Sequence, residues 1–589
     1  NVSTEEDAGN IIRFILGEDM ESYGFRDRTV NVGGTDYEWK LGDIVNSSPT
    51  YVGTPMERFD YIYGDDSYAQ FYQQYRDRRN VVYAGGNDGM LHAFNAGRYI
   101  QDEDPYTPEI GRMDGLGKTL GEELWGFIPY NLLPQLKWLG DPNYCHIYYV
   151  DMRPKASDVR IFSASSTHPQ GWGTVLITGM RLGGKEVEVT DNFGSGNETR
   201  TFRSAYLALD VTDPEAPPEP LWEFTDTSLG FTSSYPAIAR LGDPTSQGNW
   251  YMIVGSGPHD LVGLSTQRGK LYVVDLADGS LLTTFEIPEE SSFVGNPIAV
   301  DVDLDYKTDC IYFGTCRKEG GHWKGKMYRL ATHENPDPTS WTLSVLIDAD
   351  HPITAAPSVA MDDRGNLWLF WGTGRYISDQ DEEDPDVQVI YGVKDPCWDG
   401  SCTTPIYLTD LFNATGVRVT RATGGGDVQV EVNLSSCGIP AGTYSFEVFE
   451  ELMESCSGWY IVLNPGERVL SKPAVMGGAV ILPTFTPSGD ICAYGGSSKL
   501  FAIFYKTGTA YREPIFSGNR GVQDIGGGRE EIMRETDIGE GVPSSQGIHV
   551  GKTGETKGFI QLSTGQIVGL KETLPYNVSS RTLLWREKE

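Results

Sequence analysis

The chain has 589 residues, with 82 acidic and 47 basic side chains and a net charge of −35. That balance argues against nucleic acid or an anionic bilayer as the main partner, because phosphate binding needs clustered Lys and Arg; it suits calcium. Hydrophobic residues at 39% suffice for a core, and 70 Gly with 33 Pro fit a fold with many turns.

In chain order, the start Asn1-Val2-Ser3-Thr4-Glu5-Glu6 has neither a basic n-region nor an apolar h-region, as in a mature product or a piece of a longer chain. No run of 18 apolar residues occurs, so no membrane span is predicted. Ala8 to Gly17, with Ile11, Ile12, Phe14, Ile15 and Leu16, predicts a short amphipathic helix, and Ala69 to Tyr75 a second.

A Pro followed by small and β-branched residues then recurs. It appears at Pro49, Pro236, Pro297, Pro357 and Pro473, with a weaker copy at Pro543 running into Gly547-Ile548-His549-Val550. From Pro236 the steps are 61, 60, 116 and 70 residues, a spacing that indicates repeated supersecondary units. Each anchor leads into short β-rich runs such as Val81 to Phe94, Gly269 to Asp275, Leu367 to Gly372 and Lys499 to Ile503. The long gap before Pro236 hides one more unit, expected to open at Tyr148 to Asp151 and to continue through Trp172 to Gly179, Ala205 to Val211 and Leu221 to Phe224. Seven units of strand, turn and strand predict an all-β, seven-bladed propeller over 46–589, after a lead-in segment at 1–45.

The 116-residue step predicts an insertion at about 378–465, a β excursion holding Cys397, Cys402, Cys437 and Cys456. Period-two alternation at Gly416 to Thr420 and Asp427 to Val432 predicts an exposed hairpin there. Eight cysteines in a Gly-rich acidic chain lean towards an oxidising compartment, with a reduced cytosolic set as the alternative. Proximity favours Cys397–Cys402 and Cys437–Cys456 as pairs, though sequence alone does not settle connectivity.

One segment carries specific chemistry. Asp301-Val302-Asp303-Leu304-Asp305-Tyr306-Lys307-Thr308-Asp309 places carboxylates at loop positions 1, 3, 5 and 9, and Lys307 at position 7 offers its backbone carbonyl. Calcium needs six to eight oxygens, and carboxylates this close repel one another without a cation. The residues at positions 6 and 12, Tyr306 and Tyr312, depart from the EF-hand loop, so the segment reads as a shortened loop running directly into a strand. The alternative is a solvated acidic turn.

Trp39-Lys40-Leu41-Gly42-Asp43-Ile44-Val45-Asn46-Ser47-Ser48-Pro49, followed by Gly85-Gly86-Asn87-Asp88-Gly89-Met90-Leu91-His92-Ala93-Phe94, resembles the C-terminal propeller of the PilY/PilC family, the type IV pilus tip-associated adhesins. The likeness continues through Leu209 to Pro214, Leu221 to Phe224, the acidic loop and Gly466 to Val469, from about Arg26 onward. It implies a modified seven-bladed, quinoprotein-like β-propeller at an extracellular pilus tip. It also implies a non-enzymatic role with minor pilins in pilus assembly, in control of extension and retraction, in adhesion to a host or abiotic surface, and in twitching motility. Carried over, the calcium ligands are Asp301, Asp303, Asp305, Asp309 and the Lys307 carbonyl. The family often has Gly at positions 4 and 6 of this loop, where this chain has Leu304 and Tyr306.

Two other readings compete. Calcium-dependent quinoprotein dehydrogenases are also propellers, but they commonly carry a vicinal Cys-Cys, and no two cysteines are adjacent here. A generic extracellular interaction propeller is the third. His-Glu-x-x-His and Gly-x-Ser-x-Gly do not occur, and Met327 breaks a near P-loop at Gly320 to Met327. His92 reads as a packed core residue, Asp88 as a turn-former, and Asp362, Asp363 and Asn366 as a hairpin turn rather than a second cation loop.

Overall fold

The computed structural model describes residues 4–101, 111–194, 196–243, 245–488, 495–551 and 554–578; Cys492 lies outside them. It is all-β with few helices. The chain divides into two compact units, residues 1–259 with 270–284, and 260–269 with 285–589.

The first unit opens with the predicted helix, Glu5–Ile15, whose start is closed by a capping box between Thr4 and Asp7. Phe14 on its inner face is buried and stacks on Phe25. The second predicted helix is Asp66–Tyr75, capped by Asp65, and it buries Tyr68, Phe71 and Tyr75. Three antiparallel sheets follow one another along the unit. The first runs through Thr50–Val52, Asn80–Gly85, Leu91–Gln101 and Glu123–Phe127. The second holds Lys155–Arg160, Trp172–Gly179, Tyr206–Asp210 and Glu219–Phe224. The third holds Ala237–Leu241, Asn249–Gly255, Lys270–Asp275 and Leu281–Glu286.

Among the described residues five more sheets lie in the second unit, four that follow in chain order and one formed by the excursion described below. The fourth has Ile298–Val300, Cys310–Glu319, Met327–Ala331 and Thr342–Ile347 at its centre. The fifth has Ser358–Met361, Leu367–Gly372, Val387–Asp395 and Gly458–Pro465. The sixth has Ala474–Met476, Ala479–Pro487, Gly496–Phe504 and Glu535–Glu540. The seventh has Gly547–Val550, Thr556–Gln561 and Ile567–Glu572.

Pro49, Pro236, Pro357 and Pro473 each sit directly ahead of a sheet's first strand, Pro297 sits directly ahead of Ile298–Val300 but after Ser292–Val294 of the same sheet, and Pro543 precedes Gly547–Val550 by a short segment. Proline has no N–H to donate to a preceding ladder, and its fixed φ feeds an extended residue, so it punctuates one sheet from the next. Second strands such as Trp172–Gly179 and Leu367–Gly372 are buried at every position. They therefore read as continuous apolar runs, because both of their faces are covered.

Two expectations need correction. Tyr148 to Asp151 forms no strand; the second sheet begins at Lys155, directly after Pro154. The hairpin in the insertion is not exposed. Arg418–Ala422 and Gln429–Val432 do pair antiparallel. Their alternation, however, places Val419, Val430 and Val432 on a buried face against Phe446, Phe449 and Met453 of the helix Phe446–Met453. The pair is extended by Gly442–Ser445 on one side and by Arg529–Ile532 and then Val522–Gly526 on the other. The excursion leaves the fifth sheet after Val387–Asp395 and returns as Gly458–Pro465, so both of those strands, inside the expected 378–465, belong to the sheet itself. Both favoured disulfides are present, Cys397–Cys402 and Cys437–Cys456, with Cα separations of 5.1 and 6.0 Å. Cys145, Cys310 and Cys316 are free thiols. Among the described residues no helix is long and apolar enough to cross a membrane.

In the seventh sheet Glu572 is buried against Gln546, whose side-chain amide donates to its Oε1 at 2.6 Å, while Glu572 Oε2 has no hydrogen-bond partner among the described residues. Burial pushes this carboxyl up to about 7. A carboxyl raised in the folded state contributes stability that is complete below its unfolded pKa and is lost as pH rises through the folded value. Glu572→Gln is therefore expected to stabilise the protein at pH 8 by about 1–3 kcal/mol and to leave it near wild type at pH 4.5. Unfolding midpoints of both proteins across that range check this, and parallel curves would assign the ionisation elsewhere.

Candidate metal centre

The acidic loop joins Ile298–Val300 to Cys310–Glu319, two strands paired antiparallel with Cys310 opposite Val300. The ladder continues into the loop: the Asp309 amide donates to the Val300 carbonyl, and the Thr332 amide donates to the Asp309 carbonyl. Asp309 is thereby fixed at the mouth of the sheet, 7% exposed, with Oδ2 accepting the Val302 amide at 2.6 Å.

Loop amides turn the remaining carboxylates inward. Asp301 accepts from the amides of Asp305 at 3.2 Å and Tyr306 at 3.0 Å, and Asp303 accepts from the Asp305 amide at 3.2 Å. Leu304 and Tyr306 have φ of 60° and 78°. This explains why glycine suits positions 4 and 6: the loop closes only if both are left-handed. Leu304 is largely exposed, whereas Tyr306 is 3% exposed and fills the space beneath the loop.

One carboxylate oxygen from each of Asp301, Asp303 and Asp309 lies within 4.8 Å of the others. Burial, with the neighbouring Asp303, Asp301 and Glu334 charges adding to it, pushes Asp309 up to about 7. Asp303 is raised by burial and by Asp305. The donors are all hard oxygens, which fits an oxygen-seeking divalent cation. Cys310, next in sequence, is turned away and donates its thiol to the Trp398 carbonyl. Tyr312, at position 12, enters the core and donates to Asp395 at 2.7 Å.

The five sequence-predicted residues are only partly gathered. Asp305 groups instead with Asp303 and Glu334, a residue that sequence reasoning missed. The Lys307 ammonium lies 2.5 Å from Asp305 Oδ2 and also pairs with Glu334, and these hydrogen bonds hold its pKa above the ordinary lysine value. Glu334 arrives because Cys310 pairs with Ala331, so the turn after Met327–Ala331 returns beside Asp309. That register is set by pairing in the folded sheet, and no signal in the sequence pointed to Glu334.

The most specific motif serves structure. The Gly42 amide donates to Asp88 at 2.7 Å, the Asn87 amide to the Asp43 carbonyl at 3.1 Å, and the Tyr149 amide to Asn87 at 3.0 Å. Asn46 donates twice to Asp151, and the Gly85 amide donates to Ser47. A Cβ on Gly42 would meet the Asp88 amide nitrogen at 2.3 Å, so that glycine is sterically required. His92 is packed in the core as expected, yet it also bridges Asp88 and Glu123, so Asp88 is more than a turn-former. Asp362 accepts from Arg364, Asn366 and Trp368 inside a hairpin turn, as predicted.

Because Leu304 pays strain without burial, Leu304→Gly is expected to be neutral or stabilising by up to about 1 kcal/mol. Tyr306→Gly removes a buried ring and is expected to cost about 3 kcal/mol despite the same relief. Unfolding of both variants in calcium-free buffer distinguishes them; similar effects would mean the two positions do not differ in this way.

A family model described as the PilY1 beta-propeller domain matches residues 41–410. A type IV pilus biogenesis factor PilY1 homolog of Xylella fastidiosa is 28% identical over 568 residues, 93% of this chain and 39% of the relative. Type IV pilus biogenesis factor PilY1 of Pseudomonas aeruginosa strain UCBPP-PA14 is 27% identical over 570 residues, 87% of this chain and 43% of the relative. The chain thus spans about two fifths of the length of these curated relatives. The crystal structure of the Pseudomonas aeruginosa PilY1 C-terminal domain covers 89% of this chain and 99% of its own, with a TM-score of 0.59 and 20% identity. With a family model matched over more than half of its length, the chain belongs to the PilY1 β-propeller domain family.

Proposed function

We propose that this chain is the calcium-binding propeller module of a type IV pilus biogenesis factor. It acts without catalysis at the extracellular pilus tip, where it works with minor pilins in assembly, extension and retraction, adhesion and twitching motility. The pilus role is carried by the likeness to relatives named as type IV pilus biogenesis factors. The seven sheets are read as seven blades of a quinoprotein-like propeller. In a strain lacking the parent gene, restored surface pili and twitching on re-expression are expected, with the protein in sheared pilus fractions. Unchanged pili and motility after deletion would sink the pilus role.

The calcium reading rests on the convergence of Asp301, Asp303 and Asp309 oxygens on one point, from an all-oxygen donor set. Asp305 and the Lys307 carbonyl complete the proposed ligands. Bound calcium would neutralise charge that the strand ladder prevents the aspartates from relieving by moving apart. Calcium at a hundredfold excess over Kd is expected to stabilise the wild-type protein by about 2.7 kcal/mol. Asp301→Asn and Asp309→Asn are expected to lose that gain, read as a calcium-dependent shift in unfolding midpoint. An equal shift in wild type and both variants would place calcium elsewhere.

A further inference from the structure

Lys307 stands where the loop needs only a backbone carbonyl, yet its side chain is engaged with the acids around it. Its ammonium pairs with both Asp305 and Glu334. Asp305 Oδ1 accepts the Lys307 amide at 2.9 Å, so one residue takes both oxygens of Asp305. The carboxylates sort into two trios that share Asp303: Asp301, Asp303 and Asp309, and Asp303, Asp305 and Glu334. In the first trio Asp309 is 7% exposed, and its Oδ2 accepts the Val302 amide. The second trio carries the ammonium.

Resting on the calcium reading, we propose that Lys307 is a built-in competitor at that site and sets its affinity for divalent cations. Its charge is tethered to the loop, so it is never diluted away. A compact ammonium on a flexible four-carbon stem reaches oxygens that a metal ion would otherwise take. A cation entering beside Asp309 meets a fixed positive charge within the same loop and finds Asp305 and Glu334 already sharing that ammonium. To use Asp305 it must displace Lys307, whose side chain is 23% exposed and so has a path to solvent. Glu334 shares the ammonium with Asp305 and is its second carboxylate partner.

Calcium titration by calorimetry on the whole chain tests this with four variants. Lys307→Gln keeps the length and the backbone carbonyl but removes the charge, and is expected to tighten calcium binding about tenfold or more. Lys307→Arg keeps the charge and is expected to keep the wild-type affinity. Glu334→Gln leaves Lys307 on Asp305 alone and is expected to weaken binding. Asp309→Asn is expected to abolish it. The ion pairs of Lys307 are partly exposed, so its replacement is not expected to unfold the protein; unfolding midpoints without calcium verify that. Unchanged or weaker binding by Lys307→Gln, while Asp309→Asn still abolishes it, overturns the competitor role and leaves the calcium site standing. Equal binding by wild type and Asp309→Asn, or none by wild type, overturns both.

Discussion

Like charges held close by covalent geometry govern the loop of the fourth sheet. The aspartates cannot separate, because Asp309 is fixed by backbone bonds to Val300 and Thr332, and Asp301 is fixed by the amides of the turn it accepts from. Repulsion between carboxylates in a partly buried site is far stronger than in water, so it must be met by protons or by positive charge. The molecule supplies one such charge in Lys307, bound to Asp305 and Glu334. The left-handed backbone at Leu304 and Tyr306 follows from the same constraint, since an inward-facing set of side chains needs a loop that curls back on itself.

The sheets that carry this loop are built by local pairing. Most neighbouring strands pair antiparallel with strands close in the chain, and prolines stand near where most sheets begin. The excursion from the fifth sheet breaks that local rule. Its strand Arg418–Ala422 pairs with Arg529–Ile532, more than 100 residues later, and Arg418 and Arg421 pair with Glu531 and Glu530 across the join. The two disulfides fall in this excursion, where a small core gains most from a covalent closure.

A second set of polar contacts lies away from the acidic loop. Gly42, Asn46, Asn87 and Asp88 form a polar seam that ties the lead-in segment to the turn of the first sheet and to the approach to the second. Buried polar groups need partners, so each member of such a seam constrains the identity of the next.

Most strand positions, the all-β class, the proline-marked units and the acidic loop were legible in the sequence, because each is a local pattern of spacing or residue type; proximity favoured both disulfide pairs without settling them. The period-two runs at 416–420 and 427–432 correctly signalled a hairpin; which face was covered was not legible, since the helix Phe446–Met453 and the strand Arg529–Ile532 come from elsewhere in the chain. Nor could spacing separate Asp305 from Asp309, or bring Glu334 to Lys307. Those outcomes depend on where the Cys310–Ala331 register returns the chain, and a ladder between distant residues is set by packing of the whole sheet rather than by the residues of one loop.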